Sequence, residues 1–598
     1  MASSALHLAA EKQARAICVF VHGRGQSPEE MQSHVLARLD APDVAFVLPR
    51  AESGSWYDAR AIDPLTAGTR TALQAALDCA AELGGAAVEV GLGRFRVDGA
   101  LTVPQDVSLE GLGRGMGGDH VWGRDTWRPG DPELFRSVGN KSVLLAYGGR
   151  GEADGAPLIS MEANSVVTGL TVLYPEQRPL EEPVAYPFAV DLCSRARREA
   201  CRAAPAAAVQ GGGPGGTCCS NNMVSDLELV NAYQGVRAQM APRFFLQRIF
   251  GQCLFRGVVA EYTFDISRVN DVHFYTYWSS AEPVLTFMRR QGVGFTFGRN
   301  DWLQVTRTYA WSMHEAYLFR ESPELPPASE GGAGVGGGCA NGEFTNLSAD
   351  FSVQAVRLEC TSPTGVQIVG GEFTAFQNPS HNGTTEETPV HVASTPGHEG
   401  VVKFSGCNFW GPGAFPGSVL PPEHGVADLR GAPLETVSFD GCTFMQFNNT
   451  DSPASPYLLE LAGRGSYSVQ GSTFWTSQPA RHVRVGPQVG MALVANNLFS
   501  SGPLVTDEVG DPAAVALSGN VRFRGGTPGP AAGGGAPRTG GTRGSGSASS
   551  RAFRLPRGAP ASSDAAERSL RRPSAGRGGA AGLNEIHNEE ARWPPVPA

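Results

Sequence analysis

A solenoid of short β-strands, stacked coil upon coil, is the fold predicted by this 598-residue sequence, and three observations predict it. A phrase of apolar residues, a small turn, Gly-Cys and Phe is written twice, as "GVVKFSGCNFWGP" (Gly400 to Pro412) and "ETVSFDGCTFMQF" (Glu435 to Phe447). Gly406 then matches Gly441, Cys407 matches Cys442 and Phe409 matches Phe444. Weaker echoes ("GVQIVGGEFTAF", "SYSVQGSTFWTS", "MALVANNLFSSG") extend the series to Phe373, Phe474 and Phe499, with spacings shrinking from about 36 to about 25 residues, within the range of solenoid repeats. Finally, an amphipathic helix and four short alternating strands head the series, where a solenoid needs its open end covered.

Composition agrees with a long repeat body. Glycine, at 76 residues, is nearly twice the usual share of about 7%, and charged residues, at 18%, fall below the usual quarter. No stretch approaches the roughly 20 apolar residues that cross a bilayer. The net charge of −10 is unevenly spread, because the chain from Val521 onward is rich in Arg, leaving the body more acidic than the total.

In chain order, residues 1–65 form a separate α/β island. "AICVFVHGRGQSPEEMQSHVLARL" reads as a buried strand ending at His22-Gly23, a helix start at Ser27-Pro28-Glu29-Glu30 and an amphipathic helix; "DVAFVLPRA" reads as a second buried strand. With "SWYDAR", these residues resemble the opening of the carboxylesterase/phospholipase branch of the α/β-hydrolases. The chain has no Gly-x-Ser-x-Gly elbow to supply a nucleophile, so the resemblance implies a truncated or fused fragment without esterase chemistry. The N-terminus does not read as a secretory signal.

The main body runs over 66–524. "TRTALQAALDCAAELGG" is an amphipathic helix with Leu73, Leu77 and Ala80 on one face, stopped by Gly84-Gly85. "AAVEV", "GRFRV", "ALTV" and "VSLEG" follow as strands between turns. This passage resembles the N-terminal cap and first coil of the pectate-lyase-like superfamily, with its right-handed parallel β-helix, and later phrases ("LLAYGGRGEADGAPLISM", "FGQCLFRG", "GFTFGRNDWLQV") resemble its rhamnogalacturonase- or epimerase-like subgroup. The resemblance implies coils about 4.8 Å apart, with Phe409 over Phe444 and Cys407 over Cys442 as ladders; stacked thiols and a disulfide both fit the cysteines. "VVTGLTVLYP", "MVSDLELVNAY", "FLQRIFGQCLF" and "ISRVNDVHFYTYW" read as earlier coils, and the Gly-rich pieces around 196–217 and 322–342 as extruded loops. The eleven cysteines, odd in number and scattered, argue against a dense disulfide framework. Residues 525–598, poor in aromatic and branched side chains, read as a disordered tail.

Several motifs carry bland readings. "GRGMGG" (Gly113 to Gly118) follows a strand but precedes no helix pattern, so it reads as a turn. Asn449-Thr450-Asp451 matches one piece of a polygalacturonase signature whose other pieces are missing. The densest chemistry lies between Tyr147 and His314. There Asp265, Asp271 and Asp301 are acid/base candidates, Arg268 and Arg299 are carboxylate binders, and His273, Tyr174, Trp278 and Trp302 are sugar contacts. Aromatic faces suit C–H surfaces of sugars, guanidinium groups suit uronates, and paired carboxylates suit glycoside cleavage, lysis or epimerisation. The expected function is therefore a carbohydrate-active enzyme on an acidic polysaccharide, with a non-catalytic glycan-binding β-helix as the alternative. No cofactor, nucleic-acid partner or membrane span is expected; carboxylates alone would suit calcium, but no ligand spacing points to it. The family resemblance implies an extracellular or surface location.

Overall fold

The structure, a computed structural model, describes residues 68–112, 141–204, 218–327, 329, 335–375, 390–410, 427–446, 457–476, 482–500 and 505–522, and the backbone of three short strands nearer the start. The chain repeatedly crosses a 26-stranded sheet, through one long strand or two short ones, and returns through one strand of a 13-stranded sheet. Successive coils pair in parallel and in register, as in the inward column Val366, Val402, Val437, Tyr467, Ala492 and Val515. The right-handed parallel β-helix expected from the sequence is the observed architecture.

Each coil bends midway through the large sheet, and a bend of one residue needs left-handed backbone. Asp226, Arg248, Asp271, Arg307 and Asn346 occupy that place in five successive coils; Gly370, Gly406, Gly441, Gly471, Asn496 and Gly519 occupy it in the next six. Inside the tube, the repeat aromatics stack: Phe373 on Phe409 at 5.3 Å between ring centres, Phe409 on Phe444 at 5.2 Å, Phe444 on Phe474 at 4.7 Å and Phe474 on Phe499 at 4.6 Å. One Phe per coil fills the bore because register places it at the same inward position every time.

The tube's first end is covered by helix α1 (Gly68–Glu82), which buries Leu73, Leu77 and Ala80. Gln74 fastens it to the first coil, donating to the Thr102 carbonyl (3.0 Å) and accepting from the Thr102 N–H (2.8 Å). Both expected N-terminal strands are found, at Ala16–Val19 and Val44–Leu48; the first also runs parallel to Ala87–Val90. The expected helix between them, "GRGMGG", Asn449-Thr450-Asp451 and the tail lie outside the described residues.

One of these expectations needs correction. The piece around 196–217 is not all loop: helix α2 (Arg195–Ala203) forms there, capped by the Ser194 hydroxyl, which accepts from the Arg197 N–H. Six cysteines pair, as Cys193–Cys219, Cys201–Cys218 and Cys339–Cys360, which in 598 residues is no dense framework. Two of these bridges close the loop that carries α2, and Cys339–Cys360 joins successive coils beside the pairing of Ala340 with Thr361, neither of which linear spacing displays. Cys407 and Cys442 stack as free buried thiols, pointing at the Ile368 and Phe404 carbonyls.

Candidate functional site

The sequence-predicted residues scatter over the coils. Asp265 sits at the corner leading into the large sheet, in a polar ladder of left-handed residues: Asn164 donates to Asp106 (3.0 Å), Asn221 to Asn164 (2.8 Å), and Arg243 to both Asn221 (2.8 Å) and Asp265 (2.7 Å). Asp301 and Trp302 lie at the same corner one coil on, both exposed. Asp271 lies elsewhere, at the mid-sheet bend beside Arg248, whose guanidinium grips Asp226 with two 2.6 Å bonds. The three aspartates thus divide between two corners. Arg268 is exposed and donates to Gln304 (3.2 Å); Arg299 is spent on the Gly336 carbonyl and lies over the Phe264 ring.

Two of the proposed sugar contacts are interior. Tyr174 and Trp278 are each 1% exposed, so neither presents a ring to a ligand. Tyr174 packs on Tyr186 at 4.7 Å, and the Trp278 backbone N–H donates to the Gln252 side-chain oxygen. An aromatic residue in a strand–turn phrase carries no label for inside or outside until the register is known.

His273 leads to a different grouping. Across the outer face beyond the bend, His273, Tyr309, Ser348 and Glu372 are neighbours in one column, and Trp311 faces Asp350 in the next. The His273 and Tyr309 rings meet at 4.5 Å, Tyr275 lies 5.3 Å from both Tyr277 and Trp311, and Trp311 lies 5.7 Å from Phe351. These half-buried rings make a continuous wall. Helix α3 (Glu282–Gln291) supports it from behind: Arg289 reaches over Trp311 at 6.0 Å and donates to the Ser312 hydroxyl at 2.7 Å.

Asp350 ends that wall in a β-bulge. Ala349 pairs with Phe373 and Ser352 with Ala375, so Asp350 and Phe351 together oppose Thr374 alone. Phe351 takes up the extra length with a φ of 53°, a conformation rare for a bulky residue and typical of functional sites. Burial pushes the Asp350 carboxyl up to about 6, and the Glu372 carboxylate adds to the rise; bonds from the Phe351 N–H and the Tyr309 hydroxyl oppose it. Burial first, then the charge of Asp350, raises the Tyr309 hydroxyl, which therefore stays a proton donor. Burial lowers His273, against the pull of Asp271, favouring the neutral ring.

Asp350, Glu372, Tyr309, Trp311 and Phe351 were not singled out by sequence reasoning. A signal existed for the aromatics: aligning "RVNDVHFYTYW" with "LQVTRTYAW" sets Tyr309 beside His273 on the outward face. Among the described residues, no group of three or more His, Cys, Asp or Glu side chains is placed to hold a metal ion. No described helix is long and apolar enough to cross a membrane.

No family model matches the chain, and no curated protein matches it in sequence. Solved structures similar in fold include DFA-IIIase from Arthrobacter chlorophenolicus in complex with GF2 (12% identity, 76% of this chain and 96% of that one, TM-score 0.36). The A-module of the mannuronan C-5 epimerase of Azotobacter vinelandii is similar over 76% of this chain and 93% of its own (11% identity, TM-score 0.37). An α-1,3-glucanase catalytic unit from Streptomyces thermodiastaticus is similar over 77% and 67% (12% identity, TM-score 0.38). Likenesses of this strength carry no chemistry across.

Proposed function

We propose that the chain is a carbohydrate-active enzyme whose reacting saccharide lies on the aromatic wall, with Asp350 moving the proton at the reacting bond. The observation that carries this reading is Asp350 in its bulge. It is a carboxyl that keeps its proton toward neutral pH, beside a second carboxyl, at the end of a row of outward rings. Glycoside cleavage needs one carboxyl to protonate the departing oxygen and another to attack or to activate water. Asp350 fits the first role and Glu372 the second. Lysis or epimerisation of a uronate would instead use the ionised Asp350 to take the proton beside the sugar's carboxylate. An acidic polysaccharide is the substrate class we favour, and Arg307, exposed at the bend beside Tyr309, would supply the countercharge.

Turnover of pectins, alginates and rhamnogalacturonans by the full chain tests the reading. Asp350→Asn is expected to lower turnover by about 10²–10⁴-fold while the folded circular-dichroism spectrum is kept. With Asp350 as proton donor, the wild-type rate falls as pH rises through about 6. Turnover indifferent to Asp350→Asn, or glycan binding with no turnover at all, would give the site to the non-catalytic alternative.

A further inference from the structure

The second sheet carries a cavity of about 750 Å³ on its outer side, where the strands Ile159–Met161, Phe188–Asp191 and Gln234–Gln239 lie next to one another under α2. Its volume falls within the range of small-ligand sites, about 300–1,000 Å³. Arg195, Arg198, Arg202 and Arg237 line it, with Asp154 and Glu199 as the acidic members.

The charges there are not mutually satisfied. Asp191, fully buried beneath, accepts from Arg198 at 2.9 Å and Arg237 at 2.6 Å, so its oxygens are engaged. Glu199 pairs with Arg195 at 3.0 Å. Arg202 donates through one terminal nitrogen to the Pro326 carbonyl at 3.4 Å, and the Nε atoms of Arg202 and Arg237 are buried without an acceptor among the described residues. Buried donors normally find partners, so these two guanidinium groups keep donor capacity that the described chain does not use. The Arg237 guanidinium is also fixed in orientation, held by Asp191 and lying over the Phe188 ring at 4.8 Å. A fixed guanidinium edge suits a planar or tetrahedral oxyanion. The cavity is larger than a bare ion needs, and Ser160, Gln239 and Asp154 offer partners for hydroxyl groups.

We propose that this cavity binds a sugar unit bearing an anionic group, a carboxylate or a sulfate ester, with Arg202 and Arg237 receiving the oxyanion. The site shares no residue with the aromatic wall, so it stands or falls separately from the reading of Asp350.

Calorimetric titration of the full chain with galacturonate oligomers, a sulfated disaccharide, neutral galactose oligomers and inorganic sulfate tests the proposal. At least one anionic saccharide is expected to bind, and the carboxylate and sulfate arms tell which group is taken. The neutral oligomer should bind at least tenfold more weakly. Arg202→Gln should weaken binding at least tenfold, and Arg237→Lys, which keeps the charge facing Asp191 but loses the fork, should weaken it too. Unchanged thermal midpoints would show both variants folded, and Asp350→Asn should bind as wild type does. The proposal is overturned by equal affinity for neutral and anionic sugars, by binding indifferent to both arginine changes in folded variants, or by no binding of either anionic saccharide. Inorganic sulfate binding as tightly as the sulfated sugar would equally remove the saccharide from the site.

Discussion

The middle coils, from Met223 to Ser352, and the later coils, from Thr361 to Arg522, make the same bend with different residues. The later coils place Gly at four successive bends and stack one Phe per coil beneath them. The middle coils put Asp226, Arg248, Asp271, Arg307 and Asn346 at the bend, hold two of these charges together as an ion pair, and turn His, Tyr and Trp outward. Glycine enters the left-handed region without a steric penalty; an L-residue such as arginine costs about 1–2 kcal/mol there. Strain and a continuous run of outward aromatics therefore collect in the coils that also carry Asp350, while the later coils mostly keep the rule of glycine at the bend. Departures from such rules are where function is expected.

The contrast can be broken by measurement. The largest effect belongs to the stack: Phe444→Ala should destabilise by about 3–5 kcal/mol in urea unfolding, and Tyr309→Ala, on the outer wall, by less than half of that. Equal losses would erase the distinction between scaffold and site. Next comes Asp350→Asn. The folded carboxyl titrates near 6 against an ordinary value of 3.8, so the unfolded chain loses its proton first and the wild type loses stability as pH rises between those values. The variant lacks that loss. It should be the more stable protein above about pH 6, with the advantage fading below about pH 4. A variant less stable at every pH would deny the desolvated carboxyl.

Gly441→Ala is a smaller test. Nothing lies within 4 Å of an added Cβ, so only backbone strain, about 1–2 kcal/mol, should be lost. The smallest effect is Arg307→Gly, which relieves the same strain but gives up the 2.8 Å bond to Asn270 and adds unfolded-state freedom. A net gain under about 1 kcal/mol is expected. Chemical denaturation of the two variants side by side should give opposite signs, and the same sign would mean that the two kinds of bend are energetically alike.

The sequence displayed the stack and hid the site for one physical reason. Phe373 through Phe499 recur once per coil at the same inward place, so the eye finds them without knowing the register. The middle coils lack that regularity. Contacts across neighbouring coils there join residues 22 apart at Arg248 and Asp226, 36 apart at Arg268 and Gln304, and 39 apart at Thr345 and Thr306. The bulge at Asp350 then adds one more residue, which shifts any alignment just where it matters. Asp265, Asp271 and Asp301 drew notice because they cluster in sequence, yet two corners of a coil separate them. Asp350 and Glu372 come together only through the pairing of Ser348 with Glu372. The capping helix was legible because its apolar face is local; α2 was not, because it is short and rests on disulfides.

Those disulfides reach beyond geometry. The bridges Cys193–Cys219 and Cys201–Cys218 tie both ends of α2, the roof of the arginine cavity, whereas Cys253, Cys407 and Cys442 remain thiols sealed within the coils. Biosynthesis therefore acts on the two parts unequally. In a reducing cytosol the two bridges of the roof and the Cys339–Cys360 bridge between coils would stay open; passage through an oxidising compartment, where such bridges form and persist, would finish the molecule.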